Sequence, residues 1–164
     1  MYNIGDKIVY PMHGAGVIEA IEEKIILGKK QFYYIMKMTL TGEMTVMIPC
    51  QSCDEIGVRF VIDKNEGAKV LEAFRKAPIE ENANWNKRHR DNMQKIKTGD
   101  IYQVLGVVKE LMYRDKSKGL STSERKMLNN AKQIMVSELV LSKVAGKYDY
   151  ESIMCDTVDE LFEA

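Results

Sequence analysis

Between Phe32 and Met38 the chain alternates. Phe32, Tyr34, Met36 and Met38 fall on one side, and Tyr33, Ile35 and Lys37 fall on the other. A period of two is the mark of a strand with one face toward a core. Lys7 to Tyr10 reads as a shorter strand, followed by a turn over Pro11 to Gly16. Val17 to Leu27 is rich in β-branched residues and reads as the next strand, with a hairpin turn at Gly28-Lys29-Lys30. Thr41-Gly42 turns the chain into Met44 to Ile48, and Pro49 ends that strand. Ile56 to Ile62 reads as a last one.

From Asp63 the period lengthens. Val70, Leu71 and Phe74 share one helix face, and that helix stops before Pro78. Residues 78–84 read as a linker. Asn84 to Lys97 forms a basic helix closed by Thr98-Gly99. Ile101, Val104, Leu105, Val108, Leu111 and Met112 mark a second helix, and Gly119 breaks the chain after it. Ser121-Thr122-Ser123-Glu124 is a capping box: the hydroxyl takes a backbone N–H and the Glu reaches back. It opens the longest helix, with Met127, Leu128, Ala131, Ile134, Met135 and Leu139 inward, and Arg125, Asn129 and Lys132 on another face. The acidic tail is expected to form a short helix over Thr157 to Phe162. The fold class is therefore α+β. A small, strongly bent β-barrel of Tudor or SH3 type is expected over 1–62, a connecting helix and linker over 63–84, and an all-helical domain over 85–164.

Charge sharpens this division. The 164 residues are neutral overall, with 24 Lys and Arg against 24 Asp and Glu. Residues 1–77 hold 10 of each sign, residues 78–148 hold 14 basic against 8 acidic, and residues 149–164 hold none against 6. The helical part thus carries a surplus of positive charge suited to an anionic polymer. No run approaches the roughly 18 apolar residues of a membrane span, and the opening residues lack a signal-peptide pattern. Three cysteines, an odd number, fit a reducing compartment, so a cytoplasmic protein is expected.

Few residue patterns suggest catalysis. Cys50-Gln51-Ser52-Cys53 has the spacing of a redox dithiol, but it follows a strand-ending proline rather than opening a helix beside a βαβ unit. A zinc site would need further ligands, and Cys155 is distant. Gly14-Ala15-Gly16 lacks the offsets of a phosphate loop and reads as a tight turn. No enzyme, metal or cofactor is expected, and no small-molecule substrate. The remaining constellation is Asn84-Trp85-Asn86-Lys87-Arg88-His89-Arg90, the only tryptophan beside clustered cations. Cations hold phosphates and a ring can wedge between base steps. Trp85, His89, Met93 and Ile96 also form an apolar helix stripe, so periodicity alone favours a core tryptophan.

Whole-chain patterns narrow the choice. Gly5-Asp6-Lys7-Ile8-Val9-Tyr10-Pro11-Met12-His13-Gly14-Ala15-Gly16 resembles the opening of the CarD/CdnL/TRCF family. Gly119 to Met135 is similar to the long-helix motif of its stand-alone CarD members, and Asn84-Trp85 with the following basic residues matches as well. The resemblance implies a bacterial transcription regulator. Its Tudor-like domain would dock on the lobe of the RNA polymerase β subunit. Its helical domain would meet promoter DNA, largely independently of sequence, at the upstream edge of the bubble. It further implies an exposed, wedging Trp85, with Lys87, Arg88, Arg90, Arg125, Lys126 and Lys132 as basic contacts to DNA. The polymerase side would use Lys24, Ile26 and Lys37, with Met47 standing where the family often has Arg. Cys50 and Cys53 are outside the family pattern. Two other readings stay open on the residues alone: a Tudor-like module for RNA or a ribosomal partner, and a thiol oxidoreductase.

Overall fold

The computed structural model describes residues 1–40, 42–80, 84–143 and 147–163. Thr41 of the expected Thr41-Gly42 turn and residues 81–83 of the expected linker lie outside them.

The N-terminal half is an antiparallel five-stranded sheet in the order β4-β3-β2-β1-β5. The strands are β1 (Lys7–Tyr10), β2 (Gly14–Ile26), β3 (Lys29–Met38), β4 (Thr45–Pro49) and β5 (Arg59–Phe60). A register shift between Ile18 and Ala20 bulges β2, which bends the strand and raises its twist. Tyr34, Met36 and Met38 point inward as their alternation requires, joining Ile8, Ile18, Ile48, Cys53 and Val58. Phe32, on the same side, is 56% exposed, because the β2–β3 hairpin outruns the rest of the sheet. That hairpin turns on two residues of positive φ, Leu27 at 54° and Gly28 at 77°, the geometry that matches strand twist.

Two local expectations need correction. The strand expected over Ile56 to Ile62 is shorter, because Ile56 ends a short helix α1 (Cys53–Ile56) that follows a 3₁₀ turn (Cys50–Ser52). Only Arg59–Phe60 pairs, against β1. Gly57 is the reason, ending α1 at φ 91° with its N–H on the Cys53 and Asp54 carbonyls. Gly14-Ala15-Gly16 is not a turn but the start of β2, paired with β1.

The helices are α2 (Lys64–Lys76), α3 (Trp85–Lys97), α4 (Ile101–Ser117), α5 (Thr122–Ser142) and α6 (Lys147–Glu160). Asp63, Asn84, Asp100 and Ser121 cap four of them, each side chain accepting a backbone N–H of the first turn. The last helix begins well before the expected Thr157, since Tyr150, Met154 and Val158 each reach the core. That core also contains Val70, Leu71 and Phe74 of α2, so the helix expected as a connector packs as part of the bundle. Lys109 of α4 is 1% exposed, and its ammonium donates to the Arg75 and Ala77 carbonyls at 2.8 and 2.7 Å. It thereby satisfies the open C-terminal end of α2. Among the described residues no helix is long and apolar enough to cross a membrane.

Candidate nucleic-acid interface and partner face

Trp85 is the first residue of α3, directly after the Asn84 cap, whose side chain accepts the Lys87 N–H at 3.1 Å. Its position resolves the ambiguity of the apolar stripe. Ile96 is 1% exposed and Met93 packs against the core, while Trp85 is 41% exposed. The stripe is rooted in the bundle and its tip overhangs the end. The indole stacks on His89, with centroids 4.9 Å apart and planes 13° from parallel. A ring held this way loses less rotamer freedom on inserting than a free one would.

Arg88 departs from expectation. It is 3% exposed, and its Nε donates to Glu124 at 3.0 Å, so it cannot serve as a surface phosphate contact. With Asn92 and Ile96 it lies on the inward stripe of α3, and all three are buried. Arg114 of α4 stands 3.8 Å from the same Glu124 oxygen. Burial pushes the Glu124 carboxyl up. The hydrogen bond and charge of Arg88, with help from Ser121 and Arg114, outweigh it and hold the carboxyl below its usual range. One buried carboxylate thus ties the start of α3, the last turns of α4 and the start of α5 together. A buried ion pair of this kind is weak evidence of stability, but it fixes orientation.

The other basic residues divide by surroundings. Lys87 and Arg90 are exposed on the outer side of α3, and Lys126 is exposed on the first turn of α5. Arg125 is exposed and pairs with Asp115 at 2.6 Å. Lys132 is half-buried, facing a groove of about 190 Å³ between α4, α5 and α6 that also contains Asp115 and Asp159. Its neighbours are partly acidic, and the structure does not bring it to the Trp85 corner. Arg114 at the end of α4, beside Glu124, escaped the sequence reading. Its signal was the basic last turn of α4.

The sheet gathers its candidates better. Register pairs Lys24 with Gln31, Ile26 with Lys29, and Ile35 with Met47. Because cross-strand partners share a face, Lys24, Ile26, Lys37 and Met47 all lie on the face opposite the sheet's own core. Ile26 and Met47 are 45% and 42% exposed, and Lys24 pairs with Glu22 at 3.1 Å. Met47 is on β4, an edge strand. Cys53 does open a helix, though one of only four residues, and burial pushes its thiol up to about 11. Burial raises Cys50 as well, which is the opposite of what a nucleophilic dithiol needs. Among the described residues no cluster of His, Cys, Asp and Glu could hold a metal ion.

The structure joins a Tudor-like sheet to a helical bundle with an exposed tryptophan at the start of α3. Residues 2–62 match the family model described as the CarD-like/TRCF RID domain, and residues 69–154 match that of the CarD C-terminal domain. The chain belongs to the CarD family, and is a regulator of transcription rather than an enzyme. It is 44% identical over 143 residues to YdeB of Bacillus subtilis (strain 168), named as a transcription-factor candidate, across 87% of this chain and 93% of that one. The RID match implies an interaction with RNA polymerase.

Proposed function

We propose that this protein docks on the lobe of the RNA polymerase β subunit and stabilises the open promoter complex by wedging Trp85 at the upstream edge of the bubble. The observation that carries the reading is the placement of Trp85. It is exposed at the very start of a helix whose other inward residues are anchored. Lys87, Arg90 and Lys126, with Arg125 once it exchanges Asp115 for phosphate, supply the contacts to the backbone. Such contacts fix register without reading sequence. The sheet face of Lys24, Ile26, Lys37 and Met47, with the free edge of β4, suits addition of a partner strand. The work would be done at the nucleoid, where polymerase is engaged.

The energetics fit a factor that acts only when held. Unstacking a base step costs on the order of a few kcal/mol, which a wedge offsets only where the duplex is already opening. Binding to polymerase supplies the effective concentration that weak DNA affinity lacks. The deciding experiment follows the lifetime of the open complex with no factor, this protein, or Trp85→Ala. A longer lifetime that is mostly lost in the variant, with polymerase co-purification unchanged, supports the wedge. Equal lifetimes for parent and variant would remove it.

A further inference from the structure

The sheet and the bundle meet across several contacts, and one of them is a polar clamp. Arg59 of β5 reaches both Glu138 carboxylate oxygens, at 2.6 and 2.7 Å. The same guanidinium donates twice to the Gly99 carbonyl, at 3.2 and 2.7 Å. Glu138, 1% exposed on α5, also accepts the Ile62 N–H at 3.0 Å. Beside it, Ser137 Oγ accepts the Ala15 N–H at 2.9 Å. The backbones leave no room for slippage. A Cβ on Gly14, at φ +110°, would lie 2.9 Å from Ser137 Oγ, and one on Gly99 would lie 3.0 Å from the Pro11 ring.

Gly99 immediately follows the C-cap of α3. The wedge helix is therefore gripped near its end by Arg59 of the sheet and at its start by the Arg88–Glu124 pair. Register places Arg59 on the same sheet face as Val9 and Ala15, and that face continues to Lys37 through Val17. A helix of this length spans roughly 20 Å, so a tilt of about 10° at one end moves the other by about 3.5 Å. That is about one base step of about 3.4 Å. A flexible tether would raise local concentration but could not choose the step.

We propose that Arg59 and Glu138 are positioning residues: they make the sheet and α3 one rigid lever, so that docking of the sheet on polymerase sets the base step at which Trp85 stands. The inference rests on the promoter reading above. Its test uses the full chain as parent, Glu138→Gln, Arg59→Ala and the milder Arg59→Lys, which keeps the charge but loses the fork. Residual dipolar couplings of the free protein give the domain orientation. Permanganate reactivity of promoter thymines maps the upstream bubble edge, and polymerase co-purification and open-complex lifetime are measured alongside.

The parent should fit a single alignment tensor for both domains. The variants should need two, still co-purify with polymerase, blur the bubble edge and lose at least fivefold in lifetime gain. Arg59→Lys should fall between and serves if the others fail to fold. A variant with independent domains and an undiminished lifetime overturns the lever, as does a single tensor in every folded variant. A parent that leaves the lifetime unchanged defeats the promoter reading and the positioning role with it. The tensors would still report whether the clamp joins the domains.

Discussion

Two arginine–glutamate pairs hold α3, one near each end, and they differ in kind. Arg88–Glu124 is sealed, with side chains 3% and 5% exposed, and it joins elements of one bundle. Arg59–Glu138 has a sealed carboxylate at 2% but a guanidinium still 32% exposed, and it joins two domains. A sealed pair has no water to replace a lost partner, so breaking it strands a charge. A pair at a domain boundary can let water in when the domains part. Breaking the first should therefore cost the bundle more, and breaking the second should change how the domains stand.

The largest effect should come from Glu124→Ala, which removes the buried carboxylate that accepts from Arg88 Nε. Breaking a buried pair costs roughly 3–5 kcal/mol, and chemical denaturation of the variant checks this. Glu138→Ala should cost less and should separate one melting transition into two, measured by calorimetry. Equal losses with one transition in both variants would erase the distinction drawn between the pairs.

Acid should probe the sealed pair. The Glu124 carboxyl is held below its unfolded value. Its stabilisation is thus present above the unfolded carboxylate range and is lost as pH falls through the lower, folded value. Thermal melts from neutral to strongly acidic pH should show this loss, and Glu124→Gln should flatten that part of the profile.

Gly14→Ala presses a methyl on Ser137 at a positive φ, and a cost of roughly 1–3 kcal/mol is expected by denaturant titration. Trp85→Ala should be the smallest change in stability, under about 1 kcal/mol, since the ring is half outside and loses mainly its stack on His89. The same variant should give the clearest loss in open-complex lifetime. A large loss of stability there would mean that Trp85 is a core residue after all.

The helices and their caps were legible because the signals are local. The spacing of Ile101, Val104 and Leu105, or Ser121 ahead of Glu124, needs only neighbours within two turns. The alternation of Tyr34, Met36 and Met38 gave their inward side for the same reason. The tail helix was read short because the sequence from Lys147 to Asp156 mixes charges with Tyr150 and Met154, the residues that the bundle buries. The strand expected over Ile56 to Ile62 shrank to Arg59–Phe60, because a left-handed Gly57 can end a helix as readily as it can interrupt a strand.

By itself the sequence determined the division into a strand half and a helix half, the basic surplus of the second, and the family resemblance on which Trp85 was expected outside. Only the tertiary structure decided which cations are free. Arg88 lies between exposed Lys87 and half-buried His89, and nothing local distinguishes it from Lys87 or Arg90. Its carboxylate comes from Glu124, 36 positions away. Arg59 likewise finds Glu138 across 79 positions, and Gly14 needs its missing side chain because of a helix more than a hundred residues later. Helix and strand periods report which side of an element faces inward. The charge or backbone that waits there belongs to another part of the chain, and only folding brings it near.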